Sequence, residues 1–137
     1  MSGLAAVLAG RRTAGVHRWE SALDVDDVRA ATEHAGWAFA HLDGAGRESL
    51  PDVLRALGEA LAFPAHYGQN LDALNDCLRD LAGPTVLLWD AWGGFARADL
   101  RWFPVVVDVL AHRGDDDPPI EVLLRGPGPD DAVPLLD

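Results

Sequence analysis

The chain has 137 residues, 49% of them hydrophobic and 24% charged, which suits one domain with a packed core. Twenty-two acidic residues against eleven basic give a formal net charge of −11. That balance argues against direct binding of nucleic acid or of anionic membranes, which need clustered Lys and Arg, and favours a basic partner steered in by the field.

Cys77 is the single cysteine, so an internal disulfide and a Cys-rich zinc site are both excluded. No apolar run approaches the ~20 residues that span a bilayer. In "MSGLAAVLAGRRTAG" Arg11 and Arg12 follow the apolar stretch, the wrong order for a secretion signal. The reading is of a cytoplasmic protein, monomeric when free.

Residues 1–16 are small and weakly patterned and read as a disordered N-terminus, followed by an extension over 17–35 with one helix. That helix is "LDVDDVRAATEHAG", with acids in its opening turn, Val25 and Val28 on one side and Gly36 as the stop. "WAFAHLDG" reads as a strand. "RESLPDVLRALGEALAFP" is a helix capped by Ser49 or Leu50, with Pro51 in its first turn, a Leu54, Leu57 and Leu61 stripe, and Pro64 as its end. The next helix occupies residues 66–81, "HYGQNLDALNDCLRDL".

"TVLLWD" has the length and continuous apolarity of a strand buried on both faces. "AWGGF" reads as a loop. "ADLRWFPVVVDVLAHRG" holds one or two helices, with Pro104 starting the second or kinking the pair. "PIEVLLRG" is a last strand, and "PGPDDAVPLLD" (within 126–137) reads as a loose tail. Strands separated by helices imply an α/β fold in which a small three-stranded parallel sheet packs with helices, preceded by an N-terminal helical extension.

The chemistry concentrates on residues 66–81. At 100° per residue, Leu71, Leu74, Leu78 and Leu81 share one stripe with Cys77 at its edge. Asp72, Asp76 and Arg79 lie opposite, flanked by Asn75 and Asp80. Asn70 is a good N-cap, which places Asp72 in the first turn, where the helix dipole favours a carboxylate. Asp76 lies a turn further on and has no such explanation, while the two acids repel at i,i+4 by roughly 0.2–0.5 kcal/mol. Catalysis or metal binding by this pair is disfavoured, because an exposed convex helix face supplies no cleft and no third ligand at suggestive spacing. Cys77 reads as a small buried hydrophobe, and the lone histidines His66 and His112 as structural or solvated.

"FPAHYGQNLDALNDCLRDL" resembles the signature of the barstar family, intracellular inhibitors of barnase-like ribonucleases. Pro64, Tyr67, Gly68, Asn70, Leu71, Asp72, Ala73, Leu74, Asp76, Cys77 and Leu78 agree with the family in order and spacing. The resemblance extends collinearly over residues 36–125 through "WAFAHLDG", "PTVLLWD" and "IEVLL". It implies a barstar-like fold without cofactor or catalysis, whose acidic helix and preceding loop enter a ribonuclease active site where substrate phosphates would sit. It also implies that Asp76 is the dominant acid and Asp72 its companion. With His66, Gly68, Asn70, Leu71, Asn75, Arg79 and Asp80 they form the expected partner-binding set.

Three departures stand out. The best-known member carries aromatic residues at the positions of His66, Asn75 and Leu81, and Arg79 is unexpected on the acidic face. They point away from the familiar partner, toward another ribonuclease of the class, such as one whose site carries an acid to meet Arg79. The family's additional acid on the last helix has no match, although His112 falls near it with Asp115–Asp117 just beyond. The alternative is a barstar-like interaction domain that neutralises a non-nuclease toxin or another basic protein.

Overall fold

A computed structural model describes residues 2–129 and 133–137. In chain order the elements are α1 (Ser2–Leu8), β1 (Val16–Trp19), α2 (Val25–His34), β2 (Ala38–Asp43), α3 (Leu50–Ala60), α4 (Leu71–Arg79), β3 (Thr85–Asp90), α5 (Gly93–Ala98), α6 (Trp102–Ala111), β4 (Ile120–Arg125) and β5 (Leu135–Leu136). The sheet is parallel throughout, in the order β2-β3-β4-β1-β5.

The α/β class and parallel pairing agree with the expectation, but the sheet has five strands rather than three. Residues 1–16, expected to be disordered, contain α1, whose Leu4 and Val7 are 0% and 1% exposed. The segment 17–35 supplies most of a strand as well as its helix. "VHRW" hid that strand, because His17 and Arg18 break its apolar pattern. The end of the tail, expected to be loose, pairs with β1 through Leu135 and Leu136; its residues 130–132 lie outside the described ones. In "AWGGF", Gly93 opens α5 instead of continuing a loop. Burial of Phe95 and Ala96 beneath that turn outweighs the poor helix propensity of two glycines.

Right-handed crossovers decide the layering. The step from β1 to β2 runs opposite to the steps β2 to β3 to β4, so their helices fall on opposite faces. Leu4 and Val7 of α1 and Val28 of α2 pack with Val86, Leu88 and Leu123 on one face. Leu54, Leu57, Leu74, Leu78, Phe95 and Val106 pack with Leu87, Trp89, Val122 and Leu124 on the other. β3 and β4 therefore present apolar side chains to both layers, as the run "TVLLWD" requires. Pro104 is the third residue of α6, in the first turn where its missing N–H is harmless.

Two ionic clusters bind the strands. At the carboxyl end of the sheet, Arg125 Nε and Nη2 donate to Asp90 Oδ1 and Oδ2 (2.6 and 3.0 Å) and Nη1 donates to the Leu23 carbonyl (2.5 Å). His41 Nε2 lies 2.8 Å from the same carboxylate. Burial pushes the Asp90 carboxyl up, but the hydrogen bonds and charges of Arg125 and His41 together outweigh it and hold it below its ordinary 3.8. Between β1 and β4, the wholly buried Glu121 sits 2.7 Å from His17 Nδ1 and accepts the Gly15 N–H at 2.9 Å. There burial prevails and the carboxyl lies above its ordinary 4.5.

Two outcomes follow. Leu4→Ala should lower urea-measured stability by about 2–4 kcal/mol, the cost of a core cavity, whereas a disordered N-terminus would leave it unchanged. The acid response should have two limbs. Glu121 binds its proton more readily folded than unfolded, so above pH 4.5 its influence raises stability as pH falls. Asp90 does the reverse: its stabilisation is complete above 3.8 and is lost as pH falls through its lower folded value. In Arg125→Ala the limb below 3.8 should flatten, as read from urea midpoints across pH.

Candidate functional site

Helix α4 is built to present its acids. Asn70 Oδ1 accepts the Ala73 N–H at 2.8 Å, capping the helix one residue before Leu71. Leu74 and Leu78 are 0% and 2% exposed in the core, and Leu71 and Leu81 pack partly against it. The opposite face carries Asp72, Asp76 and Arg79 into solvent, with Asp80 as the exposed C-cap. Asn75 is half-buried and His66 exposed.

The loop before α4 is pinned rather than free. Tyr67 donates from its hydroxyl to the Leu54 carbonyl at 3.0 Å, and its ring meets Phe63 edge-on at 5.0 Å between centroids. Gly58 makes room for that ring: a Cβ there would lie 2.7 Å from Tyr67 Cδ2 and Cε2. Gln69 then takes a left-handed φ of 52°, turning the chain into the Asn70 cap. Burial, and secondarily Cys77, pushes the Tyr67 phenol up to about 12.

This loop and the side of α4 enclose an open hollow of about 1050 Å³. His66, Gly68, Asp76, Arg79 and Asp80 line it, while Asn70, Leu71, Asp72 and Asn75 do not. The acidic face is thus concave on one flank, where the periodicity gave only a convex surface. The hollow still has little nucleophile chemistry. Cys77 is half-buried, and burial, then Asp80 and Asp76, push its thiol up and away from thiolate. Among the described residues no three His, Cys, Asp or Glu side chains group to hold a metal ion.

Arg79 Nη2 donates to Asp76 Oδ1 at 2.5 Å, with the two side chains 57% and 64% exposed. An exposed i,i+3 pair contributes ~0.2–1 kcal/mol at most, so Asp76 is occupied but easily released. Beyond α6, His112 Nδ1 lies 2.6 Å from the Asp108 carbonyl of its own helix. The Asp115–Asp117 loop follows, with Arg113 Nη2 at 2.6 Å from Asp116 Oδ2. That ion pair serves the Asp116 carboxylate, while Arg113 Nε has no hydrogen-bond partner among the described residues. The sequence placed Asp115–Asp117 just beyond the position of the family's additional acid without assigning it a role.

A capped helix holding carboxylates over a shallow hollow, on a rigid α/β frame, is a surface suited to docking a protein. The match to known families agrees: the family described as "Barstar (barnase inhibitor)" matches residues 37–125. The chain belongs to the barstar family and carries a barnase-inhibitor-like protein-interaction domain. Among solved structures, the ORC2 protein of Aeropyrum pernix, in ADPNP-ADP complexes, is similar at 16% identity with a TM-score of 0.55, over 93% of this chain and 39% of that one. A structure of Drosophila ORC bound to AT-rich DNA and Cdc6 is similar at 10% identity with a TM-score of 0.51, over 90% and 43%. The chain spans less than half of each, and at these identities the likeness is one of fold. It takes in the N-terminal extension as well as the family region.

Gly58→Ala should drive the Tyr67 ring from its seat. Because Tyr67 is the only tyrosine, ultraviolet titration of the phenol reads it directly. The parent should ionise near 12, and the variant should shift back toward the ordinary 10.0.

Proposed function

We propose that the chain is a protein inhibitor that blocks the active site of a cytoplasmically encountered ribonuclease, using α4 and its preceding loop in place of RNA phosphates. The observation that carries this reading is Asp76, an exposed carboxylate that neither the core nor the helix dipole accounts for, within a family of barnase inhibitors. Asp72 stands beside it. The two acids are already ordered, so a cationic site gains charge-assisted hydrogen bonds with little entropy lost on this side. Gly68 and Asn70 set the loop and cap. His66, Asn75, Leu71 and Asp80 complete the contact set, and the −11 net charge speeds encounter with a basic enzyme. The reading calls for no cofactor and no catalysis.

Two observations favour a second reading, a domain that neutralises a non-nuclease toxin or another basic protein. Arg79 already sits on Asp76, and His66, Asn75 and Leu81 offer no aromatic anchors. Affinity capture on parent and Asp76→Ala columns separates the two: ribonuclease activity eluting from the parent alone supports inhibition, and a basic protein without it supports the second.

Asp76→Ala should weaken inhibition of RNA cleavage by at least about thirtyfold, as loss of a central interface anchor does. Circular dichroism and urea midpoint should stay close to those of the parent. An unchanged inhibition curve would sink the proposed role of α4.

A further inference from the structure

We infer that Arg79 is a resident competitor for Asp76: it neutralises the carboxylate in the free protein and so reserves it for a partner that brings a compact cluster of cations. The inference rests on Asp76 being the partner-binding acid. It deepens that reading by stating which cationic sites the acid serves.

Three features put Arg79 in this role. Its Nη2 donates to Asp76 Oδ1 at 2.5 Å. This is the single hydrogen bond or ion pair of either side chain among the described residues. Arg79 also lines the same hollow as Asp76, so the guanidinium stands in the space a docking group has to enter.

The helix keeps it there. Arg79 lies in the last turn of α4, where the dipole favours a cation, and one turn beyond Asp76. With the two side chains 57% and 64% exposed, releasing the guanidinium to water costs the chain little.

A weak pair of this kind still discriminates. A lone Lys or Arg on a partner's surface replaces one exposed pair with another, and Arg79, tethered one turn away, then opposes it as a like charge. That exchange gains nothing. A cluster of two or three cations meets both oxygens of Asp76, with Asp80 lining the same hollow, and outweighs the lost pair and the repulsion together. A site that holds RNA phosphates has such a cluster, whereas scattered basic surface does not. Arg79 thus makes a chain of net charge −11 selective instead of merely adhesive to cations. The partner needs no acid of its own.

The test is Arg79→Ala, in which stability and inhibition should move in opposite directions. Loss of a cation that the dipole favours should lower the urea midpoint slightly. The freed Asp76 should inhibit barnase, used as the probe, about two- to fivefold more tightly, the scale of an exposed ion pair. Arg79→Lys should stay close to the parent. In Asp76→Ala the further change Arg79→Ala should gain clearly less, because no carboxylate is left to free. Retention of cytochrome c, a basic protein that is not a nuclease, should rise by a larger factor than barnase inhibition does.

A purely structural Arg79 would lower the midpoint and leave inhibition unchanged, which overturns the inference. Weaker inhibition by Arg79→Ala also overturns it, and shows that Arg79 itself meets an acid on the partner. A gain on cytochrome c no larger than that on barnase overturns the selectivity. If Asp76→Ala is impaired in any of these cases, the inhibitor reading stands. Inhibition that ignores Asp76→Ala overturns both readings. Barnase left fully active by parent and Arg79→Ala alike overturns the competitor role, and the affinity columns then judge the inhibitor reading.

Discussion

Burial of Leu74 and Leu78 fixes the rotation of α4, and the rest of the acidic face follows from it. Each fully buried leucine stabilises the fold by about 1.5–3 kcal/mol, against roughly 0.2–0.5 kcal/mol of repulsion between Asp72 and Asp76. The core term wins by an order of magnitude. The carboxylates are thereby held in solvent whatever they cost each other. The cap from Asn70 and the dipole at Asp72 remove part of that cost locally, and Arg79 removes part of what remains at Asp76.

The loop ahead of α4 is held by a different kind of contact. Gly58 and Tyr67 form a lock in which absence of a side chain on α3 admits an aromatic ring from the loop, and the ring's hydroxyl finishes on a backbone carbonyl. Such a loop enters a complex with its conformation largely set, so less binding energy goes into ordering it.

Legibility in the sequence tracked how strongly each signal was periodic. The leucine stripe of α4, its Asn70 cap and the run "TVLLWD" each had one physical reading, and the structure has the helix and the strand where they were placed. The 100° arithmetic also put Asp76 and Arg79 on one face. What failed was local and short. Four residues, Val16–Trp19, form a strand only because β4 offers an edge beside them, and no pattern within "VHRW" announces that. Leu135 and Leu136 pair for the same non-local reason. The hollow beside Asp76 was illegible because it is made by two segments at once, the pinned loop and the helix flank, and periodicity sees only one element at a time. The Arg113–Asp116 ion pair is likewise a fact of geometry, invisible in a run of three acids.

The N-terminal extension is best understood through Glu121. Without β1, β4 would be an edge strand with an open row of backbone donors and acceptors, a template for pairing with other chains. β1 covers that row and β5 closes it with a strand of only two residues, which leaves little edge to template on. Covering β4 also removes Glu121 from water. Desolvating a carboxylate and an imidazole costs about as much as their attraction returns, so the His17 pair adds little net stability. Its effect is on register. A slip of β1 by one residue would turn His17 to the opposite face and leave Glu121 buried without its neighbour. The pair thus selects Val16 opposite Val122 among the alternatives. The helices that come with this extension, α1 and α2, pack on the face of the sheet away from α3 and α4. The extension completes and registers the sheet while leaving the acidic face uncovered, so the two parts can vary independently: changes in residues 1–35 act on stability and, under the proposed function, changes in α4 act on recognition.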